Sequence, residues 1–313
     1  MENSMIQKFR KRLRKIIGRR AERCIIDYGA AQRFTSNIPY RLFLTAINMP
    51  GALISSFRAT IPYVEMDITS RCNLNCKECS HFIPMHKEMK MAYDFDADTL
   101  LNNIDLLLSL VDKCLIFRVL GGEPFLHKQL HRVIDKLISE KKVKHIQVVT
   151  NGTIVPSGEN LAALMNGKVS VEISNYGDLS SKKDELYRTL KENNVHVKLD
   201  AYNPIWYEMN SLEPRHYSKG EMESVFFNCS GANCKSLYDG KLWLCPQALH
   251  GALLGLVKQN EQEYIDLSAC SKKEFWARLN KLYSDPGGFS TCYYCRGGCA
   301  EFARQIPCAE QCM

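Results

Sequence analysis

Three cysteines fall within eight residues, in the run Arg71-Cys72-Asn73-Leu74-Asn75-Cys76-Lys77-Glu78-Cys79. Thiolates at this C-x3-C-x2-C spacing can wrap one metal centre from a single loop. A structural zinc ion wants four protein ligands and usually presents two C-x2-C pairs. A [4Fe-4S] cube held by three cysteines instead leaves one iron without a protein ligand, open to a small chelating molecule. A second, looser group reads Cys229-x4-Cys234-x5-Gly240-x4-Cys245 and then Cys292-x2-Cys295-x3-Cys299-x8-Cys308-x3-Cys312. Fourteen cysteines in one chain, with no apolar stretch behind the N-terminal charges, point to reduced, metal-binding thiols rather than a secreted disulfide scaffold.

The elements around the triplet set its position. Short apolar runs at Tyr63–Thr69, Leu115–Leu120, His145–Thr150, Val169–Ser174 and Val195–Asp200 read as strands. Amphipathic stretches at Asp98–Val111, Lys128–Glu140, Glu159–Asn166 and Lys182–Asn194 read as the helices between them. Strand-helix alternation argues a parallel α/β sheet. The triplet follows the first strand, on the edge where such sheets and barrels place their sites. Gly121-Gly122-Glu123-Pro124 directly follows the strand ending Val119-Leu120. On the first strand Glu65 and Asp67 alternate with Val64, Met66 and Ile68, and so face either the barrel interior as polar site groups or, if the half-barrel is splayed, the outside. After about residue 220 the pattern turns to loops dense in Cys, Gly and Tyr, with one clear helix at Lys272–Leu282 and apolar content that looks too thin for a separate core.

The cysteine triplet behind the first strand and the Gly-Gly-Glu-Pro segment behind a later one, in this order, resemble the radical SAM enzyme superfamily over roughly residues 60–200. The resemblance implies a partial (β/α)6 barrel of the TIM type. It implies that Cys72, Cys76 and Cys79 hold a [4Fe-4S] cluster whose open iron is chelated by S-adenosyl-L-methionine. Gly121, Gly122, Glu123 and Pro124 would line the methionine amino group, and Asn151 and Ser174, at later strand ends, the methionine or ribose portions. The reduced cluster would then generate a 5′-deoxyadenosyl radical that abstracts hydrogen from a substrate. Glu78 stands where the superfamily often has an aromatic residue beside adenine, and Phe82 is close enough in sequence to take that part.

The C-terminal cysteines resemble the SPASM and twitch extensions of the same superfamily, which implies one or two auxiliary [4Fe-4S] clusters. The short Cys295-x3-Cys299 interval favours one cluster, on four of Cys229, Cys234, Cys245, Cys292 and Cys295. A zinc site would use the same C-x2-C pair. Cys299, Cys308 and Cys312 are left as second-cluster ligands, a thiol hydrogen donor or small residues, and Cys24, Cys114 and Cys270 as buried thiols. His81, His86 and His250 lie near the two groups in sequence, although isolated histidines are more often packing residues. The expected division is a basic N-terminal segment over 1–58, the radical SAM barrel over 59–218 and an auxiliary-cluster domain over 219–313.

Composition narrows the setting. At 45% hydrophobic and 24% charged, the chain is neither disordered nor fibrous. Its net charge of +7 is concentrated in residues 5–20, where Met5, Ile6, Phe9, Leu13, Ile16 and Ile17 recur at helical spacing. Such a basic amphipathic helix docks either on the protein's own body or on an anionic membrane surface. The rest is near neutral, so no nucleic-acid partner is expected. Leu42–Phe57, the longest apolar stretch, is too short and interrupted to span a bilayer. The sequence thus reads as a cytoplasmic enzyme, peripheral at most to the membrane, served by a flavodoxin- or ferredoxin-type electron donor. Its substrate is expected to be a carbohydrate, aminocyclitol or lipid-linked glycan, oxidised or epimerised. The runner-up is a maturase of a ribosomally made peptide, and a metal-stabilised interaction protein without catalysis is the reading from another class.

Overall fold

The computed structural model describes residues 60–229, 231–284, 287, 289–297 and 303–312. The basic stretch at 5–20, the apolar stretch at 42–57, Cys24 and Cys299 lie outside the described residues. Five strands follow one another in a parallel sheet: β1 (Thr60–Asp67), β2 (Lys113–Leu120), β3 (Val143–Thr150), β4 (Val169–Ile173) and β5 (His196–Leu199). A short α1 (Ile83–Glu88) and a long α2 (Ala97–Leu110) connect β1 to β2. Single helices make the remaining crossovers, α3 (Leu130–Ser139), α4 (Gly158–Leu164) and α5 (Lys183–Glu192). These are the strands and helices expected from periodicity, shifted by a few residues at most.

Local chemistry explains the elements. Asp96 caps α2 by accepting from Thr99 N–H, and Leu100, Ile104, Leu107 and Leu108 are its buried stripe. Burying each such side chain contributes about 1.5–3 kcal/mol. All eight residues of β1 are buried. Val64 and Met66 belong to the main hydrophobic core, while Tyr63, Glu65 and Asp67 on the opposite face form a polar layer.

The C-terminal part joins the same sheet at the β1 edge. After β6 (Ile205–Tyr207) and α6 (Lys219–Asn228), β7 (Lys235–Tyr238) pairs with β1 in parallel, so the sixth parallel strand sits beside β1 and not beyond β5. Antiparallel β8 (Lys241–Trp243) and β9 (Tyr264–Asp266) extend the same sheet, giving the order β5-β4-β3-β2-β1-β7-β8-β9. The helices here are α7 (Pro246–Leu253) and α8 (Lys272–Ser284), the latter the helix expected at Lys272–Leu282. Phe226, Leu237, Trp243, Leu249, Ile265, Phe275 and Leu279 join the same core as the barrel strands. Apolar content that looked too thin for a separate core is therefore enough to extend a shared one. A last strand, β10 (Gln305–Pro307), pairs antiparallel with β6 and brings the C-terminal tail back to the barrel mouth. Among the described residues, no helix is long and apolar enough to cross a membrane.

Candidate functional site

The C-terminal ends of β1 to β4 open into a cavity of about 440 Å³, within the usual size range of small-molecule sites. Cys72, Cys76 and Cys79 line it together with Gly121, Gly122, Asn151 and Ser174. The cysteine loop is bound to the end of β2 through its backbone and to the end of β3 through the Asn73 side chain. Gly122 N–H donates to Thr69 O at 2.7 Å and Glu123 N–H to Arg71 O at 2.8 Å. A Cβ on Gly122 would lie 2.2 Å from Arg71 O, and one on Gly121, whose φ is +144°, 2.4 Å from Thr69 O. The two glycines are thus required by the approach of the cluster loop itself.

Glu123 and Pro124 do not line the cavity. Pro124 begins a 3-10 turn. Glu123 is fully buried and ties β2 to β3, accepting from Thr150 Oγ1 and from the N–H groups of Asn151 and Phe125. Burial pushes its carboxyl up to about 7 against those three donors. Asn151 faces the cysteines, donating to Asn73 Oδ1 at 3.1 Å and lying 3.6 Å from Cys72 Sγ.

Burial pushes the Cys76 thiol up to about 11 and the Cys79 thiol up to about 12. Thiolates therefore form here against a cationic partner such as cluster iron. Among the described residues, the only three-residue group with all ligand atoms within 4.8 Å of one another is Asp67, His81 and His250. The three loop thiols are spread more widely. Sulfurs around one zinc, at Zn–S of about 2.3 Å, stay about 3.8 Å apart, so the loop fits a four-iron cube better than a single ion.

One expectation about the adenine side needs correction. Phe82 does not line the cavity, because it is fully buried in the left-handed conformation at φ 54° and packs on His250. Glu78 lines the cavity edge, where its carboxylate accepts from the N–H groups of Met209 and Asn210. Aromatic lining comes instead from Tyr176, Trp206 and Tyr207, with Tyr176 and Trp206 edge to face at 5.3 Å. Arg118 forms part of the floor, donating to Glu172 at 2.7 Å and to Tyr63 OH at 2.9 Å. Neither Arg118 nor the β6 aromatics were picked out from the sequence. The position of Arg118 within a strand, three residues before the Gly-Gly segment, was the available signal.

The second cysteine group divides into three. Cys229, Cys245, Cys292 and Cys295 share one small apolar cavity walled by Val225, Phe226 and Leu244. Burial and mutual repulsion push Cys245 and Cys292 well above the ordinary thiol range. Cys245 is the N-cap of α7, and Gly297 N–H donates to Cys295 Sγ at 3.3 Å. Lys235, fully buried, donates to Ala232 O and Leu244 O and places positive charge near Cys245. No three of these thiols lie within 4.8 Å of one another, so this cage too is wider than a zinc site. Cys234 belongs elsewhere: it does not line the cage and lies within electrostatic range of Tyr63 and Arg118. Cys308 and Cys312 sit against the first loop, within electrostatic range of Cys76. There Cys312 N–H donates to Asn75 O, Lys77 N–H to Glu310 O, and Gln311 Nε2 to Cys76 Sγ at 3.2 Å.

Residues 66–219 match the family model described as the Radical SAM superfamily. The chain therefore carries a radical SAM domain, whose family uses a [4Fe-4S] cluster and S-adenosylmethionine. Among curated relatives, the GTP 3',8-cyclase of Helicobacter pylori (strain ATCC 700392 / 26695) is 31% identical over 107 residues, 33% of this chain and 31% of the relative. That of Stenotrophomonas maltophilia (strain R551-3) is 26% identical over 109 residues, with the same coverage. The chain thus spans about a third of the length of the curated relatives it matches. Among solved structures, BtrN in complex with AdoMet and 2-DOIA has a TM-score of 0.46 at 16% identity, covering 75% of this chain and 92% of that one. Streptococcus suis SuiB has a TM-score of 0.37 at 13% identity, covering 53% of this chain and 39% of that one.

Proposed function

We propose that this radical SAM enzyme abstracts a hydrogen atom from a small polyhydroxylated substrate, a carbohydrate, aminocyclitol or the sugar end of a lipid-linked glycan, and that the product is oxidised. The supporting observation is the lining of the cavity, with thiols at one side, the paired Arg118 and Glu172 below and the β6 aromatics above. A hydroxyl-rich ring offers donors and acceptors to such a floor and C–H faces to such a wall. Bound at Cys72, Cys76 and Cys79, the cluster with S-adenosylmethionine supplies the 5′-deoxyadenosyl radical. Gly121 and Gly122 hold the loop close, Asn151 orients Cys72, and the rim of Tyr176 and Trp206 shields the cavity from water. The Cys229, Cys245, Cys292 and Cys295 cage supports an auxiliary [4Fe-4S] cluster in the region 219–313, an acceptor for the electron that oxidation releases. That favours oxidation over epimerisation.

The test is anaerobic incubation of the reconstituted enzyme with S-adenosylmethionine, dithionite and separate panels of sugars, aminocyclitols, lipid-linked glycans and peptides. Substrate-dependent 5′-deoxyadenosine, with a product lighter by two hydrogens, is expected from the first three panels. Turnover confined to peptides would replace this reading with that of a peptide maturase.

A further inference from the structure

His81 and His86, from the stretch after β1, and His250, from α7, gather at the end of β1. Asp67 Oδ2 lies 3.1 Å from His81 Nδ1 and 2.9 Å from His250 Nε2. Behind it, His250 Nδ1 lies 3.0 Å from His86 Nε2, and His86 Nδ1 lies 3.2 Å from Met91 O. The side chains of Asp67 and His250 are 2% and 0% exposed, and His86 is also buried. His81 alone reaches the cavity wall. Asp67 Oδ1 is buried without a hydrogen-bond partner.

Counting protons along this chain exposes a deficit. Three gaps separate Asp67 Oδ2 from Met91 O through the two rings, and each needs one proton to become a hydrogen bond. Two neutral imidazoles carry only two. If His86 donates to Met91 O and His250 donates to His86, the bare Nε2 of His250 faces the carboxylate, lone pair against negative charge. A third proton would put an imidazolium where both rings are buried away from water, His250 at 0% and His86 at 1% exposure.

We propose that a divalent cation fills that first gap, held by Asp67 Oδ2, His250 Nε2 and His81 Nδ1 at the wall of the cavity. Both rings are then neutral with every gap satisfied. Ligands about 2.1 Å from a metal and 90–109° apart stand about 3.0–3.4 Å from each other, which the 2.9 and 3.1 Å separations approach. The orphaned Asp67 Oδ1 becomes a second carboxylate ligand. His86 becomes the outer partner that fixes the tautomer and orientation of His250. Two histidines and one carboxylate suit a first-row divalent ion with open positions, and the position of His81 leaves room on the cavity side for a substrate oxygen. None of the three ligands is a cysteine, so the test reads the metal itself and does not depend on turnover.

The experiment uses the holoenzyme with its clusters reconstituted. Zinc is added, unbound metal is removed on a desalting column, and zinc, iron and sulfide are counted. Zinc outranks ferrous iron at such ligands and displaces any iron left there. Wild type is expected to retain about one zinc per chain, with X-ray absorption showing nitrogen and oxygen ligands at about 2.0–2.1 Å and no sulfur shell at about 2.3 Å. His250→Gln should lose that zinc with iron and sulfide counts unchanged, and His86→Gln should weaken retention roughly tenfold. No retained zinc in wild type, a sulfur shell, or full zinc in His250→Gln would each overturn the proposal. The wild-type spectrum decides the matter even if the variants fold poorly.

Discussion

The two cysteine sites solve the same problem by opposite routes. The first collects Cys72, Cys76 and Cys79 from one loop, so its ligands exist wherever that loop is held against the ends of β2 and β3. The second draws Cys229, Cys245, Cys292 and Cys295 from the end of α6, the start of α7 and a later turn. Local chain geometry places the first set, whereas tertiary packing of the sheet extension places the second. The loop site should therefore tolerate loss of distant packing, and the cage should be sensitive to it.

The sharpest break in this comparison comes from removing ligands. The Cys72/Cys76/Cys79→Ala variant should lose about four irons, one cube's worth, and all 5′-deoxyadenosine formation. Cys245→Ala with Cys292→Ala should lose about four irons as well, yet still cleave S-adenosylmethionine without completing oxidation. Iron and sulfide counts beside a 5′-deoxyadenosine assay check both. Abolition of cleavage by the cage variant would show that the two sites are not separable.

Gly122→Ala comes next, because it attacks the loop site through its backbone support. The added Cβ meets Arg71 O at 2.2 Å, and carbonyl and loop must move together. A loss of about 3 kcal/mol or more is expected from such overpacking, with iron loss confined to the first cluster. Chemical denaturation and iron counting would measure it. Gly167, whose Cβ would meet nothing within 4 Å, is the control, and its alanine variant should be near neutral.

These expectations mark how far the sequence could be read. Periodicity placed β1 to β5 within a few residues, because buried parallel strands alternating with amphipathic helices carry a strong signal. The first site was legible for the same reason that makes it local. The cage was legible only as a pool of cysteines, since which four converge depends on β7 pairing with β1, and nothing in Lys235–Tyr238 announces that partner. The role of Phe82 was misread because proximity along the chain says nothing about the left-handed turn that buries it. Strand alternation left Asp67 open between the interior and the outer face, and its meeting with His250 joins residues 183 apart in the chain.

Glu123 predicts a pH dependence that bears on the loop side alone. Its carboxyl is pushed from an ordinary 4.5 up to about 7 by burial. Between those values the folded chain holds a proton that the unfolded chain releases, so this contribution to stability is complete below about 4.5 and is lost as pH rises through about 7. Its size is roughly 3–4 kcal/mol by linkage. Denaturation midpoints across that window should fall with rising pH in the wild type, and the slope should flatten in Glu123→Gln. An unchanged slope would mean that the Thr150, Asn151 and Phe125 donors outweigh burial and keep Glu123 ionised.

The smallest effect tests whether the loop site is as independent as its geometry suggests. Gln311 donates to Cys76 Sγ, and its Oε1 accepts from Asn75 N–H at 2.6 Å, so the C-terminal tail latches the first loop from outside. Replacing Gln311 by Ala removes both bonds at a part-buried position, about 1 kcal/mol each at most. Removing an N–H donor to a cluster sulfur also leaves more negative charge on the sulfur, which disfavours adding an electron. The first cluster's midpoint potential should move to a more negative value while its iron count and the auxiliary cluster's potential stay put. Redox titration followed by EPR resolves the two clusters. A shift in both potentials would show that the tail couples the two sites, and the contrast between a local site and a packed one would then be one of assembly and not of function.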